Sequence, residues 1–140
     1  MPITLVLADD HPIILDALEE IFRQGSDFQV LARCLGGKAT LEAVRKYRPD
    51  VLILDEPELG LHPYAINVIG GIISSLSMKT QVVVATQSTS LIDCFEPENI
   101  VVVERRDRES LFHRLDSESL QDWLDDYSLS ELWEKNVLGG

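Results

Sequence analysis

The apolar residues of this chain fall into short β-rich runs separated by amphipathic stretches, and this alternation limits the possible folds more than any other feature. Ile3–Ala8 and Val51–Leu54 are almost wholly apolar, as expected of strands that are covered on both faces of a sheet. Between them, Ile14, Leu18 and Ile21 recur at helical spacing. Strand and helix signals that alternate in this way predict βαβ units and a parallel sheet.

The same pattern predicts five strands, a candidate sixth strand and helices at the C-terminal end. The predicted strands are Ile3–Ala8, Phe28–Cys34, Val51–Leu54, Gln81–Ala85 and Ile100–Val103, with Leu111–Leu115 as a sixth strand joined to the fifth by a hairpin across Arg106–Glu109. The sequence Ser128-Leu-Ser-Glu131 is a capping box that starts a last helix. We therefore expect one α/β domain over residues 1–140. It would be a three-layer sandwich with a parallel sheet in the flavodoxin-like order 2-1-3-4-5, and the sixth strand would extend the edge antiparallel.

Charge and composition exclude several classes of function. The chain carries 24 acidic and 12 basic side chains, a net charge of −12, so phosphate backbones repel it and nucleic acid is not expected as a partner. No segment approaches the roughly 20 apolar residues of a membrane span, and the first residues run directly into a strand, so neither a membrane partner nor a signal peptide is expected. Cys34 and Cys94 lack metal-ligand spacing and are expected to be reduced, buried thiols of a cytoplasmic protein.

Three acidic residues follow predicted strands at the edge where parallel sheets bind ligands. Asp9 and Asp10 come after the first strand, and Asp55 comes after the third. If those strands are neighbours, the carboxylates converge, and a divalent cation such as Mg²⁺ would relieve their repulsion. The alternative is structural, since Asp10 could simply cap the helix that begins at Pro12.

Residues 1–55 resemble the first half of a response-regulator receiver domain. The resemblance is carried by Ile3-Thr-Leu-Val-Leu-Ala-Asp-Asp-His-Pro12, which is similar to the NarL/LuxR branch, and by Arg48-Pro-Asp-Val-Leu-Ile-Leu-Asp55. It implies that Asp9 and Asp10 hold Mg²⁺ and that Asp55 accepts a phosphoryl group. Thr86 matches the family's Thr or Ser after the fourth strand. The family's lysine after the fifth strand is missing, because Val103 is followed by Glu-Arg-Arg.

The segment from about residue 50 onward resembles the C-terminal half of an ABC-type ATPase of the RecF/SMC-like and OLD-like branch. Leu52-Ile-Leu-Asp-Glu-Pro-Glu-Leu-Gly-Leu-His-Pro63 is similar to a Walker B segment, and Gln81-Val-Val-Val-Ala-Thr-Gln-Ser88 is similar to the switch strand that follows it. The resemblance implies that Asp55 holds Mg²⁺ through water and that Glu56 polarises the attacking water. Gln87 stands where many relatives have a histidine.

Each half lacks a part that its family needs. No G-x-x-x-x-G-K-[ST] phosphate loop occurs in the sequence, so Glu56 is expected to be a vestige, and the chain is not expected to be an enzyme. The two resemblances meet inside one strand, Pro49–Asp55. That junction indicates a designed chimera of residues 1–55 and 56–140, and an unusual natural fragment is the alternative.

We expect such a chimera to have no selected activity, to require no cofactor, and to keep at most weak Mg²⁺ binding at Asp9, Asp10 and Asp55. No partner is evident, and a monomer or weak homodimer is expected. The alternatives are a phospho-receiver switch with Asp55 as acceptor, and a nucleotide-binding module without its phosphate loop. His11, His62 and His113 share no metal-ligand spacing and are expected to be structural or exposed.

Overall fold

The computed structural model describes residues 1–139, which divide into two compact units. Unit 1 comprises residues 1–61 and 71–87, and unit 2 comprises residues 62–70 and the described residues from 88 onward. The division falls within one helix, α3 (Pro63–Leu76), whose first eight residues are grouped with unit 2.

Unit 1 contains a four-stranded parallel sheet. Its strands are β1 (Ile3–Ala8), β2 (Phe28–Cys34), β3 (Val51–Asp55) and β4 (Gln81–Ala85), in the order β2-β1-β3-β4. The central strand β1 is buried from Leu5 to Ala8, as its continuous apolar run requires. The predicted α/β class and the predicted order of the first four strands are confirmed.

Helices α1 (Pro12–Arg23) and α2 (Gly37–Tyr47) pack on β1 and β2. Right-handed crossovers that run in opposite directions along a sheet place their helices on opposite faces, which gives the expected layers. On the α1 face, Leu5, Leu7 and Leu15 form a buried cluster. Full burial of a leucine side chain stabilises a fold by about 1.5–3 kcal/mol, so these residues hold β1 and the loop that follows it in place.

Unit 2 is built from short elements around its own apolar core. They are α4 (Thr89–Ile92), a 3₁₀ turn (Pro97–Asn99), β5 (Val101–Arg106), β6 (Glu109–Arg114), α5 (Gln121–Leu124) and α6 (Leu129–Glu134). Leu132 is fully buried in a cluster with Leu115, Leu120 and Leu129. The predicted capping box of α6 is present: the Glu131 amide donates to the Ser128 hydroxyl, and the Ser128 amide donates to the Glu131 carboxylate at 2.8 Å.

The expectation that a fifth strand lies against the fourth, with a sixth strand beyond it, is wrong. The strand β5 pairs antiparallel with β6, and these two strands form a separate two-stranded sheet. The predicted hairpin therefore exists, but it does not extend the parallel sheet. The β5–β6 hairpin closes through a two-residue turn at Asp107 and Arg108, whose φ angles are 48° and 70°. A type I′ turn has this left-handed conformation at both of its central residues. The antiparallel partner then supplies the backbone hydrogen bonds that β5 would otherwise need from β4.

Both cysteines are free thiols, Cys34 buried and Cys94 half-buried. The pKa of each is raised, chiefly by burial. Within residues 1–139, none of the helices combines the length and the apolar character needed to cross a bilayer.

Candidate metal centre

Asp9 is a buried carboxylate at the carboxyl end of β1. Its backbone amide donates to the Cys34 carbonyl at 3.1 Å, which continues the β1–β2 pairing by one residue. Its Oδ1 accepts a hydrogen bond of 2.7 Å from the His11 amide. The side chain is only 3% exposed, so both its position and its orientation are fixed by backbone contacts.

Asp10 and His11 lie at the exposed rim beside Asp9. The His11 Nδ1 lies 2.7 Å from an Asp10 oxygen and 3.1 Å from an Asp9 oxygen. The hydrogen bond with Asp9 and the negative charge of Asp10 raise the pKa of His11 above its usual value. His11 is exposed, as expected, and in addition it contacts both acids. That contact was not predicted from the sequence, although the adjacent residues Asp9, Asp10 and His11 were a visible signal for it.

Asp55 meets Asp9 because β3 lies beside β1. Ala8 pairs with Leu54, so the residues that follow them, Asp9 and Asp55, leave the sheet side by side, and their carboxyl groups are within hydrogen-bonding reach. Burial first, and then the hydrogen bond and negative charge of Asp9, raise the pKa of Asp55. Burial opposes ionisation of Asp9 too, but hydrogen bonds from His11 and Asp55 outweigh it, and the pKa of Asp9 lies below its usual value.

The donor set suits a small hard cation. Among the described residues, one group of acidic, histidine or cysteine side chains brings three ligand atoms within 4.8 Å of one another, and it consists of Asp9, Asp10 and His11. Asp55 approaches this group through Asp9 and is not itself part of it. Carboxylate oxygens on short side chains are the ligands that Mg²⁺ prefers. Burial and the neighbouring charge of Asp9 both raise the pKa of Asp55, and a bound cation would oppose both effects.

The turn after Asp55 brings a further carboxylate to the site. Glu56 has a left-handed backbone, with φ of 43°, and its amide donates to the Ala85 carbonyl at 2.8 Å. Glu58 then turns inward and is only 8% exposed. The Thr86 hydroxyl donates to the Glu58 Oε1, and the Glu58 Oε2 is buried without a hydrogen-bond partner among the residues that the structure describes.

Glu58 is not among the site residues predicted from the sequence, because a glutamate in a polar turn is normally exposed. The other predicted residues lie as follows. Thr86 is half-buried at the end of β4 and bonded to Glu58, whereas Glu56 and Gln87 are exposed.

A cavity of about 670 Å³ lies elsewhere, within unit 2. It is lined by both strands of the β5–β6 hairpin and by residues 136–139, and Arg106, one of its lining side chains, is paired with Glu104 at 2.8 Å. None of the residues predicted for metal binding or catalysis lines it. The candidate metal centre and this cavity are therefore separate features.

Comparison with known protein families gives two kinds of similarity. The model of a family described as "AAA domain, putative AbiEii toxin, Type IV TA system" matches residues 28–93, less than half of the chain. This match begins at the start of β2, so it overlaps the receiver-like segment as well as the Walker B-like segment.

Curated regulatory proteins match over a shorter stretch. The transcriptional regulatory protein DegU of Brevibacillus brevis is 34% identical over 53 residues, which cover 38% of this chain and 22% of DegU. The oxygen regulatory protein NreC of Staphylococcus aureus is 33% identical over 51 residues, which cover 36% of this chain and 24% of NreC. The chain thus spans less than a quarter of the length of these relatives.

Solved structures resemble the chain in fold. RcsB from Salmonella enterica serovar Typhimurium, bound to promoter rprA in the presence of phosphomimetic BeF3−, aligns with a TM-score of 0.52 at 19% identity and covers 100% of this chain and 69% of that chain. A structure from work on ATP-driven dimerization of SMC ATPases aligns with a TM-score of 0.48 at 20% identity over 65% of this chain and 60% of that chain. The RcsB alignment and the order of the parallel strands show a receiver-like α/β fold, and the sequence comparisons show both receiver-like and AAA-like similarity.

Proposed function

We propose that this chain is a designed composite of a receiver-like segment and an ABC-ATPase-like segment, without catalytic activity, that retains a weak divalent-cation site at Asp9, Asp10 and Asp55. The observation that supports the cation site is that the Asp9 carboxylate lies close to Asp55 and also close to the His11 ring, which in turn contacts Asp10. Mg²⁺ bound there would offset the repulsion between the carboxylates, and it would keep several of its waters, since few protein oxygens reach it.

The proposed composite origin is supported by partial similarity to two families and by the absence from the sequence of groups that each family needs. The AAA-like family match covers residues 28–93, and the receiver-like match to DegU covers 38% of the chain, so neither sequence match spans the chain. A phosphate loop and a lysine after the fifth predicted strand are both missing from the sequence. Phosphoryl transfer depends on positioning and on neutralisation of charge, and a chain without these groups is not expected to provide either.

Titration with Mn²⁺ or Mg²⁺ tests the cation site. We expect weak, saturable binding in the wild type and loss of that binding in Asp9→Asn. Electron paramagnetic resonance detects bound Mn²⁺, and NMR detects Mg²⁺ binding as shifts at residues 8–11 and 55–56. Shifts confined to unit 2 would contradict the assignment. Glu118→Gln removes an exposed acid of unit 2 and is the matched control for net charge.

An ATPase assay tests the absence of catalysis. We expect no Mg²⁺-dependent rate above background, because no loop of backbone amides and lysine cradles a nucleotide's phosphates. A rate that Glu56→Gln abolishes would overturn this part of the proposal and would favour the nucleotide-binding alternative.

A phospho-receiver switch is the second candidate, and the position of Asp55 beside Asp9 favours it. In that reaction an Asp55 carboxylate oxygen would attack the phosphorus of an acyl phosphate, the bond from phosphorus to the acyl oxygen would break, and the carboxylic acid anion would leave. We expect little or no product, because Glu56 and Glu58 add negative charge near Asp55 and no lysine offsets it. Rapid, stoichiometric gain of one phosphoryl group by intact mass, lost in Asp55→Asn, would establish the switch instead.

A further inference from the structure

The Thr86 hydroxyl, near Asp55 at the carboxyl edge of the sheet, is engaged by a carboxylate of the chain itself. Asp55 pairs with Ala85 across the β3–β4 ladder, so Thr86 leaves β4 directly beside Asp55 at the carboxyl edge of the sheet. The Thr86 hydroxyl is a hydrogen-bond donor that an oxyanion at this edge would use. In the structure that hydroxyl donates to the Glu58 Oε1.

The turn that carries Glu58 is tightly built. The Leu59 amide donates to the Glu56 carbonyl at 3.1 Å, and the Leu61 amide donates to the Glu58 carbonyl at 3.1 Å. Gly60 has φ of 76°, a conformation that a side chain would oppose, so the loop closes at this residue. These contacts direct the Glu58 side chain inward and hold it there.

The other Glu58 oxygen is buried and lacks a partner among the described residues, which is costly for a polar atom. Its negative charge also acts on Asp55. A buried, incompletely satisfied carboxylate therefore holds the hydroxyl that an oxyanion at this edge of the sheet would use.

We infer that Glu58 blocks an oxyanion subsite between Thr86 and Asp55, so that the folded site admits cations and excludes phosphate-like anions. This inference rests on the proposed cation site, because an oxyanion would approach Asp55 only as the partner of a bound cation. Removal of Glu58 opens the Thr86 hydroxyl and removes a like charge, and the site then accepts a metal-bound oxyanion.

Inorganic phosphate, titrated in the presence of saturating Mg²⁺, is the probe. Binding is followed by NMR shifts of the Thr86 and Asp55 amides in the wild type and three variants. Glu58→Ala opens the space, Glu58→Gln keeps the shape and removes the charge, and Glu56→Gln removes an exposed neighbouring charge while it leaves Glu58 in place. Loss of one like charge a few ångströms away predicts a gain in phosphate affinity of at least about tenfold in Glu58→Ala.

The expected order of phosphate affinity is Glu58→Ala above Glu58→Gln, with both above Glu56→Gln and the wild type. Equal gains in phosphate affinity in Glu56→Gln and Glu58→Ala would show general electrostatic repulsion and would overturn the inference. It would also be overturned if neither Glu58 variant gained phosphate affinity.

Mn²⁺ binding by the same four proteins separates the two proposals. If the Glu58 variants bind Mn²⁺ but show no change in phosphate affinity, only the proposed role of Glu58 is wrong. If the wild type does not bind Mn²⁺, the proposed cation site is wrong, and so is the inference that rests on it. If Glu58→Ala does not fold, the comparison of Glu58→Gln with Glu56→Gln decides.

Discussion

At the scale of single residues, two chemically identical side chains in contact differ in their acid strength. The pKa of Asp55 is raised, first by burial and then by the contact with Asp9, whereas hydrogen bonds from His11 and Asp55 lower the pKa of Asp9. A raised pKa means that the folded state binds a proton more tightly than the unfolded state. The stability that this proton provides is present at acidic pH and is lost as pH rises from the ordinary aspartate range through the raised pKa of Asp55.

Asp55→Asn should therefore stabilise the metal-free protein near neutral pH. The substitution keeps the shape and removes the repelled charge, and we expect a gain of about 0.5–2 kcal/mol in the free energy of unfolding, with solvent screening favouring the lower end. Urea melts in EDTA measure it. Saturating Mg²⁺ should narrow the difference, because only the wild-type acids gain from the cation.

Asp50→Asn is the control with the opposite sign. The Asp50 carboxylate accepts from the Thr4 hydroxyl at 2.6 Å and from the Thr4 amide at 2.8 Å, and these bonds lower its pKa. Its contribution is present at neutral pH and is lost as pH falls through that lowered pKa, so Asp50→Asn should destabilise. If Asp55→Asn is also less stable than the wild type in EDTA, Asp55 is a hydrogen-bonded structural group, and the repulsion argument is wrong.

The titration of His11 provides a direct test of the rim geometry. Its imidazole contacts Asp9 and Asp10, and Asp10→Asn removes one of the two negative charges that raise its pKa. We expect the pKa of His11, measured by NMR, to lie above the usual value in the wild type and to fall toward that value in Asp10→Asn. Asp16→Asn alters an exposed acid that pairs with Arg33 and should leave the His11 titration unchanged. Equal effects of the two substitutions would exclude a specific contact between His11 and Asp10.

At the scale of elements, the sequence predicted local structure better than the pairing of distant strands. The apolar run of β1 and the capping box of α6 depend on neighbouring residues, and both are present as predicted. The position of β5 depends on which strand satisfies its backbone groups, and an apolar run such as Val101–Val103 fits a parallel sheet or a hairpin equally well. The inward turn of Glu58 was hidden for a related reason: its burial depends on Thr86, 28 residues away.

The hairpin turn offers a test at this scale. Arg108 has φ of 70°, a left-handed conformation that costs a residue with a side chain about 1–2 kcal/mol and costs glycine almost nothing. Arg108→Gly should stabilise the β5–β6 hairpin by about 0.5–1 kcal/mol, measured by the urea midpoint and by hydrogen exchange of the β5 amides. Arg108→Ala removes the same charge but keeps the strain, so it should leave both measurements near the wild-type values. Faster exchange in Arg108→Gly than in Arg108→Ala would contradict the type I′ turn.

At the scale of the whole molecule, the excess of acidic side chains sets the response to salt. With 24 acidic and 12 basic residues, the net charge of −12 favours expansion through self-repulsion. The ion pairs that oppose it are weak, because the arginines that form them, Arg23, Arg33 and Arg106, are 69%, 43% and 70% exposed. Long-range repulsion and not pairwise attraction should therefore dominate the electrostatic free energy of this protein.

Added NaCl should accordingly stabilise the fold. Between about 10 and 200 mM salt the screening length falls from about 30 Å to below 10 Å, which removes most repulsion between distant acids. We expect a gain of about 1 kcal/mol, or about 3–5 °C in the midpoint of thermal unfolding followed by circular dichroism. MgCl₂ at the same ionic strength should raise the midpoint further in the wild type, because the proposed site at Asp9, Asp10 and Asp55 would bind the cation in addition to the general screening. In Asp55→Asn this additional rise should be reduced, while the NaCl effect remains. A midpoint that falls with NaCl would show that the surface ion pairs outweigh the net charge, and equal Mg²⁺ effects in the two proteins would show that the cation acts by screening alone.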